Sequence, residues 1–240
     1  GSQLKWSVFH DFPAAKMYSI VQEWVFPFIK NLHPDGESAY SKYMGDAIFK
    51  IPTPALLTKV IDGIDGLNLE GDSKGDLYEY LLSKLESAGK NGQFRTPRHI
   101  IQMMVELVKP VPSDIICDPA MGSAGFLMEA QQYLRKNHKD LFLNAEQREH
   151  FNHEMFYGFD MDRTMLRIGA MNMLLHGVDD PNIEYKDSLS EMNTDKEKYS
   201  LILANPPFKG SLDYDGTFDI SGGILVATGS SGMAQMPSDS

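Results

Sequence analysis

The tetrapeptide Asn205-Pro206-Pro207-Phe208 has the residue types of a rigid corner that could hold an amino group. Two successive prolines fix φ at about −65° and lack N–H donors, so they end a strand and leave nearby carbonyls as acceptors. The Asn205 side-chain oxygen and the Pro206 carbonyl could accept from an exocyclic NH₂, and Phe208 could stack on a ring. The corner would present a planar amine to an electrophile, although an ordinary β-turn has a similar composition.

A turn of small residues lies earlier in the chain, in the segment from Asp118 to Leu127. Small residues let a ligand approach the backbone, and a helix N-terminus offers free N–H donors. Ser123, Ala124 and Gly125 are therefore candidate ligand contacts. The turn lacks the three glycines of G-x-G-x-x-G, which weakens a dinucleotide interpretation and favours a smaller ligand. A tight turn that serves packing alone is the alternative.

Carboxylates follow two predicted strands. Asp160 ends one of them and could accept hydrogen bonds from both ribose hydroxyls of an adenosine moiety. Asp187 follows the next strand and could contact an adenine amino group. A solvated loop acid is the alternative interpretation of both residues. We interpret Asp162 as the N-cap of the helix that begins near Arg163.

Composition and charge restrict the class of protein. The 240 residues are 42% apolar and 23% charged, so the chain can form an ordinary core. No apolar run approaches the roughly 20 residues that span a bilayer, and the N-terminus lacks signal-peptide features, so we expect no membrane association and a cytoplasmic location. Cys117 is expected to be a small buried side chain, and no Cys/His cluster has zinc spacing, so no metal site is predicted.

The net charge of −11 is unfavourable for a protein that binds nucleic acid by itself. Most non-specific DNA affinity comes from Lys and Arg side chains that neutralise phosphates. If DNA is the substrate, a partner must supply much of the affinity.

The elements that must position these residues fall into three predicted domains. They are a helical N-terminal domain over 1–88, in which Gly1-Ser2 is typical of a tag remnant, an α/β core over 89–210, and an irregular tail over 211–240. The core has β-type runs at 114–118, 156–160, 183–185 and 199–204, and helical patterns at 100–109, 125–135 and 163–176. Alternating strands and helices predict a parallel, doubly wound sheet that binds ligands at the carboxyl ends of its strands. Residues 224–228 have the composition of one more strand.

Together these residues resemble the γ-type amino-methyltransferases, and specifically the modification subunit of type I restriction-modification systems. The resemblance spans roughly residues 76–213. Its motifs are, in chain order, Gly92-Gln93-Phe94-Arg95-Thr96-Pro97-Arg98, the turn from Asp118 to Leu127, Gly158-Phe159-Asp160, Lys186-Asp187-Ser188-Leu189 and Asn205 to Phe208.

The resemblance implies a role for each matching position. Asn205, Pro206, Pro207 and Phe208 would form the catalytic corner that holds a target adenine. The implied contacts of S-adenosylmethionine are Gln93, Phe94, Arg95, Thr96, Pro97, Arg98, Asp118, Ser123, Ala124, Gly125, Asp160 and Asp187. From the residues alone, Thr96 and Pro97 also predict a helix start, with Thr96 as N-cap. Arg95 and Arg98 have a solvated surface position as the alternative.

The resemblance also implies a fold, which is a Rossmann-like S-adenosylmethionine-dependent methyltransferase sheet preceded by an all-α N-terminal domain. The family's sheet continues past the catalytic motif and ends in helices that contact a DNA-specificity subunit. We expect the C-terminal part of that sheet to be truncated here. Met121 is a second departure, because many relatives carry a small residue at this position.

The leading hypothesis is methyl transfer from S-adenosylmethionine to the N6 amine of adenine in DNA. The expected partners are DNA and the specificity and restriction subunits of the same system, in a hetero-oligomer with two modification subunits. The alternatives are a non-catalytic assembly fragment of such a complex, an RNA or protein amide methyltransferase, and a Rossmann oxidoreductase.

Overall fold

The computed structural model describes residues 4–32, 38–65, 78, 80–82, 96–188, 190 and 193–205, together with the backbone of 224–227. The chain divides into two compact units, Gly1–Leu77 and Tyr78–Ser240. The predicted boundary at residue 88 lies outside the described residues and stays a prediction.

The described part of the first unit is helical, as predicted. Its elements are α1 (Trp6–Phe9), α2 (Ala14–Ile20), a π-helical turn (Val21–Val25), α3 (Phe26–Lys30), α4 (Ala39–Met44) and α5 (Pro54–Asp65). Met17 and Ile20 on α2 pack with Leu57 and Ile61 on α5, because three- and four-residue spacing places each pair on one helix face.

The π-helical turn has a local cause in Pro27, near the start of α3. A proline lacks the N–H that would donate to the carbonyl four residues earlier. The backbone widens just before it, so that the Phe26 N–H donates to the Val21 carbonyl, five residues back.

The second unit is built on a parallel sheet. Its described helical elements are α6 (Arg98–Val108), α7 (Gly125–Asn137), a 3₁₀ turn (Lys139–Phe142), α8 (Ala145–Glu149), a π-helical turn (His150–Glu154) and α9 (Arg163–Leu175). Its strands are β1 (Ile116–Asp118), β2 (Phe156–Asp160), β3 (Asn182–Tyr185), β4 (Leu201–Ala204) and β5 (Ile224–Ala227).

The strand order is β3-β2-β1-β4-β5, and every pairing is parallel. β1 is central, with Cys117 opposite Tyr157 on one side and Ile202 on the other. Its residues are fully buried, as near-continuous apolar strands of parallel sheets usually are. The prediction that Cys117 is a buried side chain is confirmed, since it is 2% exposed. Burial also raises the pKa of its thiol.

The predicted α/β class and the parallel, doubly wound sheet are confirmed. The additional strand predicted in the tail is also present as β5, one residue shorter than predicted. None of the helices in the described ranges is both long and apolar enough to span a bilayer.

Candidate active site

The carboxyl ends of β1 and β4 flank the switch point of the sheet. From β1 the chain proceeds through β2 to β3 on one side, and β4 then pairs with β1 on the other. In open sheets of this kind a crevice forms at the switch point, outside the carboxyl ends of the strands. Asp118 is the last residue of β1 and the half-buried Asn205 directly follows β4, so both lie at this edge.

The loop between β1 and α7, residues 119–124, is tied to the end of β2. The Gly122 N–H donates to Asp160 Oδ2 at 2.9 Å, and the Met121 N–H donates to the Phe159 carbonyl at 2.9 Å. Gly122 and Ala124 have left-handed backbones with φ of 53° and 65°. The structure therefore brings the small-residue loop and the predicted ribose-binding acid into direct contact.

Both oxygens of Asp160 already accept a backbone N–H. Oδ2 accepts from Gly122, and Oδ1 accepts from Asp162 at 2.7 Å. A carboxylate has about four acceptor positions, so one further hydrogen bond per oxygen is possible and two hydroxyls can be accommodated. The predicted N-cap at Asp162 is confirmed, because its Oδ1 accepts from the Thr164 N–H at 2.7 Å.

Asp118 is a buried acid, with only 1% of its surface exposed. Burial, and to a smaller extent the nearby charge of Asp160, raises the pKa of its carboxyl to about 7. The Ala120 N–H, which donates to Oδ1 at 3.1 Å, acts in the opposite direction. The ionised form of this carboxylate would be stabilised by a cation at the crevice.

Met121 anchors the loop by packing between β2 and α9. Its side chain is 4% exposed and lies between Gly158 on β2 and Gly169 on α9. A Cβ at Gly169 would come within 2.6 Å of Met121 Cε, and one at Gly158 would overlap Met121 Sδ. Met121 therefore fills space that two glycines leave open.

Replacing Met121 with alanine is expected to lower the free energy of unfolding by about 2–4 kcal/mol, because a buried side chain would be replaced by a cavity. Gly169→Ala alone should also be destabilising, whereas adding it to Met121→Ala should give less than the sum, since the new Cβ enters the cavity. Urea titration monitored by circular dichroism measures the free energy of unfolding of each single variant and of the double variant. Met103→Ala, at a residue that is 52% exposed, is the control. Strict additivity of the pair would contradict the packing described.

The N-terminal end of α6 lies next to α7. Gly125, the first residue of α7, comes so close to α6 that a Cβ on it would lie 3.2 Å from Ile101 Cδ1. Arg98 Nε is 3.9 Å from Glu129 Oε2, whose side chain is 8% exposed, and Arg98 Nη2 donates to Gln132 Oε1 at 3.4 Å. Arg98 thus contacts α7.

The predicted helix start at Thr96 and Pro97 is wrong by one residue. The N-cap is Pro97, whose ψ of 137° is extended, so the helix begins at Arg98. Thr96 makes no cap there; it is 8% exposed.

The segment that follows β3 returns to the same edge. Ser188 Oγ donates to the Pro119 carbonyl at 2.7 Å, and the Lys186 N–H donates to the Asp160 carbonyl at 3.2 Å. The side chain of Asp187 is exposed beside them. This segment therefore contacts both the loop after β1 and the end of β2.

The same segment is anchored further along by an ion pair. Lys186 Nζ donates to Asp195 Oδ2 at 2.6 Å, and the Tyr199 hydroxyl donates to the same oxygen. Burial favours the neutral form of Asp195, but the hydrogen bonds from Lys186 and Tyr199 outweigh it and hold the pKa of this carboxyl below its usual value. The anchor connects Lys186, just after β3, to Asp195 and Tyr199 in the segment before β4.

Six predicted site residues lie outside the described residues: Gln93, Phe94, Arg95, Pro206, Pro207 and Phe208. Of the remainder, Asp118, Ser123, Ala124, Gly125, Asp160, Asp187 and Asn205 lie at the carboxyl edge of the sheet. Within the described ranges, no three His, Cys, Asp or Glu side chains are grouped as a metal site.

Asn172 was not predicted as a site residue from the sequence; it is fully buried in α9, and its Nδ2 donates to the Ser123 carbonyl at 2.8 Å. A signal was present, because Met165, Gly169, Asn172 and Met173 share one face by helical spacing. A polar residue on an apolar face needs a specific partner.

Fold and site together define a doubly wound α/β protein with its ligand edge at a switch point. The N-6 DNA methylase family matches residues 69–221, more than half of the sequence, and the chain belongs to that family.

Individual relatives agree with this assignment. The methylase subunit of the type I restriction enzyme StySJI from Salmonella typhimurium is 33% identical over 174 residues, which are 66% of this chain and 33% of the relative. The chain therefore spans about a third of the length of that protein.

Solved structures show the same similarity. A modification subunit assigned to a type I restriction enzyme of Vibrio vulnificus YJ016 is 30% identical with a TM-score of 0.57, over 71% of this chain and 36% of the other. A chain from work on complex assembly and conformational transition of the type I restriction-modification system is 25% identical with a TM-score of 0.61. The match covers 87% of this chain and 44% of that chain. The predicted resemblance to type I modification subunits and the Rossmann-like methyltransferase fold are confirmed.

Proposed function

We propose that the chain binds S-adenosylmethionine at the carboxyl edge of β1 and β2 and transfers its methyl group to the N6 amine of adenine in DNA. The observation that carries the proposal is the 2.9 Å hydrogen bond from the Gly122 N–H to Asp160 Oδ2. It joins a small-residue loop to a carboxylate beside the crevice that Asn205 borders. Membership of the N-6 DNA methylase family supports the same reaction.

The residues present fit this cofactor. Asp160 can accept two ribose hydroxyls with the lone pairs that its backbone contacts leave, and the first-turn N–H groups of α7 have no acceptor within their helix. Asp118 is a buried carboxyl at the same edge, where a cationic ligand would stabilise its ionised form. S-adenosylmethionine supplies a methyl group on a sulfonium cation. We propose that the loop residues Ser123, Ala124 and Gly125 and the exposed Asp187 also contact it.

The roles of the remaining predicted residues are part of the proposal. Asn205 would accept from the adenine amino group and draw its lone pair out of ring conjugation, with the corner formed by Pro206, Pro207 and Phe208 beside it. Catalysis would then consist of orienting a poor nucleophile in line with the methyl group. The adenine must leave the duplex, because N6 cannot be reached in the base stack. Residues 93–98 would cover the cofactor.

We propose that the chain acts as the modification subunit of a type I restriction-modification complex. The net charge of −11 supports a partner that reads DNA sequence, because acidic side chains outnumber Lys and Arg in this chain and repel phosphates. The proposed partners are DNA, the specificity subunit and the restriction subunit, with two modification subunits in each complex. The proposed location is the cytoplasm.

The test is transfer of a labelled methyl group to unmethylated DNA with the specificity subunit added. Incorporation into N6-methyladenine supports the proposal. Label in RNA or protein instead would favour those methyltransferases, and binding without transfer would favour an assembly role. Stabilisation by NAD rather than S-adenosylmethionine would favour an oxidoreductase.

Asp160→Asn is expected to weaken S-adenosylmethionine binding roughly 10- to 100-fold, because hydrogen bonds to a charged acceptor contribute about 1.5–3 kcal/mol. The amide can accept at only one atom, so the backbone contact from either Gly122 or Asp162 is lost, together with the ribose contact at that atom. Isothermal titration calorimetry measures the affinity. Asp179→Asn, an exposed acid before β3 at the opposite edge, should bind like the parent chain. Unchanged affinity of Asp160→Asn would remove this residue from the site.

A further inference from the structure

Helix α9 supports the loop at residues 119–124 through one polar side chain. Asn172 has 0% of its surface exposed, and its Nδ2 donates to the Ser123 carbonyl at 2.8 Å. The residues around it on this helix face are apolar or glycine, including Gly169 and Met173. A buried amide among such neighbours is destabilising unless it is hydrogen-bonded, so this contact is a specific feature of the packing.

The Ser123 carbonyl occupies a sensitive position in the loop. Its peptide group joins Ser123 to Ala124, the N-cap of α7, and both Gly122 and Ala124 have left-handed φ values. A left-handed alanine is about 1–2 kcal/mol less stable than a right-handed one, so the loop conformation needs support from its surroundings. Asn172 fixes the orientation of the peptide group just before the first turn of α7.

The first turn of α7 contains N–H groups that have no acceptor within the helix. Several contacts hold the loop that places this turn relative to β2, among them the hydrogen bond from Gly122 to Asp160 and that from Asn172 to Ser123. The first holds the loop from the sheet and the second holds it from α9. If the hydrogen bond from Asn172 is lost, the backbone at Ala124 can relax from its left-handed conformation. The N–H groups of the first turn of α7 are then displaced.

We propose that Asn172 is a positioning residue of the cofactor loop, which holds the Ser123–Ala124 peptide in the conformation that binds S-adenosylmethionine. The proposal rests on the proposed cofactor site. Asn172 would act through the loop and would not touch the cofactor.

Asn172→Leu removes the amide and keeps a similar volume. It is expected to weaken S-adenosylmethionine binding by roughly tenfold or more, since leaving a carbonyl without its donor costs about 1–3 kcal/mol. Without ligand, the Gly122 amide should exchange its hydrogen faster than in the parent chain. Asn182→Leu is the matched control, because Asn182 Nδ2 donates to the His153 carbonyl at 2.6 Å at the amino end of β3.

Asn172→Asp gives a conditional rescue. When protonated, its carboxyl can still donate to the Ser123 carbonyl, and burial favours that form. The affinity relative to the parent chain should be close to parental at about pH 6 and should fall towards about pH 9 as the carboxyl ionises. A residue needed only for bulk packing would not show this pH dependence. If Asn172→Leu does not fold, Asn172→Asp alone decides the question.

Affinity within about twofold of the parent chain for Asn172→Leu, with unchanged Gly122 exchange, would overturn the proposal. An Asn172→Asp variant that binds S-adenosylmethionine much more weakly than the parent chain at every pH would also overturn the proposal. If the parent chain does not bind S-adenosylmethionine, the proposed function fails, and the Gly122 exchange rate still determines whether Asn172 holds the loop.

Discussion

Asn205→Ala is expected to lower methyl transfer to adenine by roughly 10²- to 10³-fold, the usual effect of removing one preorganised hydrogen-bonding group at a reacting centre. Asn205 directly follows β4 at the crevice edge, so its amide oxygen is placed by a buried strand. Binding of S-adenosylmethionine should change by less than about twofold, because none of the proposed cofactor contacts lies on β4 or directly after it. Labelled-methyl incorporation with the specificity subunit present, together with calorimetry, separates the two effects.

The matched control for this variant is Asn137→Ala. Asn137 is exposed at the end of α7, where its Nδ2 donates to the Tyr133 carbonyl at 2.9 Å. Methyl transfer by this variant should equal that of the parent chain. Parental incorporation by Asn205→Ala would remove Asn205 from the proposed mechanism.

Asp118→Asn is expected to stabilise the ligand-free chain at about pH 8, by on the order of 4 kcal/mol, since each unit of pKa shift is worth about 1.4 kcal/mol. The pKa of Asp118 is raised from 3.8 to about 7, so above pH 7 the fold contains a buried, ionised carboxylate. Asparagine keeps an oxygen that accepts from the Ala120 N–H and carries no charge.

The pH dependence has a defined sign. Between about pH 7 and pH 4, the folded parent chain binds the Asp118 proton while the unfolded chain does not, so the parent gains stability as the pH falls. The advantage of Asp118→Asn should therefore be largest above pH 7 and shrink towards pH 4. Urea titrations across this range measure it, with the exposed Asp140→Asn as control. An advantage that does not vary with pH would contradict the ionisation described.

Strand positions were predictable because buried parallel strands are short apolar runs followed by a polar residue. β2 begins and ends at the predicted residues, and β4 ends at the predicted residue. The amino ends were less accurate: β1 begins at Ile116, two residues later than predicted. Residues 114 and 115 have β-type composition, but they are held by hydrogen bonds outside the strand pairing, such as the one from the Ile115 N–H to Ser200 Oγ.

The helical turns between α7 and β2 were not predicted. The 3₁₀ turn, α8 and the π-helical turn are each four or five residues long, too short to show helical periodicity. Asn144 was a local signal, since its Oδ1 caps α8 by accepting from the Glu146 and Gln147 N–H groups.

The proposed site residues were predictable where motif and strand end coincide, as at Asp118, Asp160 and Asn205. The supporting contacts were not, because they depend on which residues meet across the fold. Met121 between Gly158 and Gly169, and Asn172 against Ser123, join positions that are distant in sequence. Only the three-dimensional packing shows that a large loop residue matches two glycines.

The buried Asp118 carboxyl also bears on how a catalytic cycle would end. If the site binds S-adenosylmethionine, the ligand loses its positive charge at sulfur on methyl transfer and becomes the neutral thioether S-adenosylhomocysteine. Asp118 and Asp160, at the carboxyl ends of neighbouring strands, attract the sulfonium cation electrostatically. They have no comparable attraction for the neutral thioether. In that case the edge would discriminate by charge between S-adenosylmethionine and S-adenosylhomocysteine, and this difference would favour release of the product. It weakens below about pH 7, where Asp118 binds a proton and one of the two charges is lost.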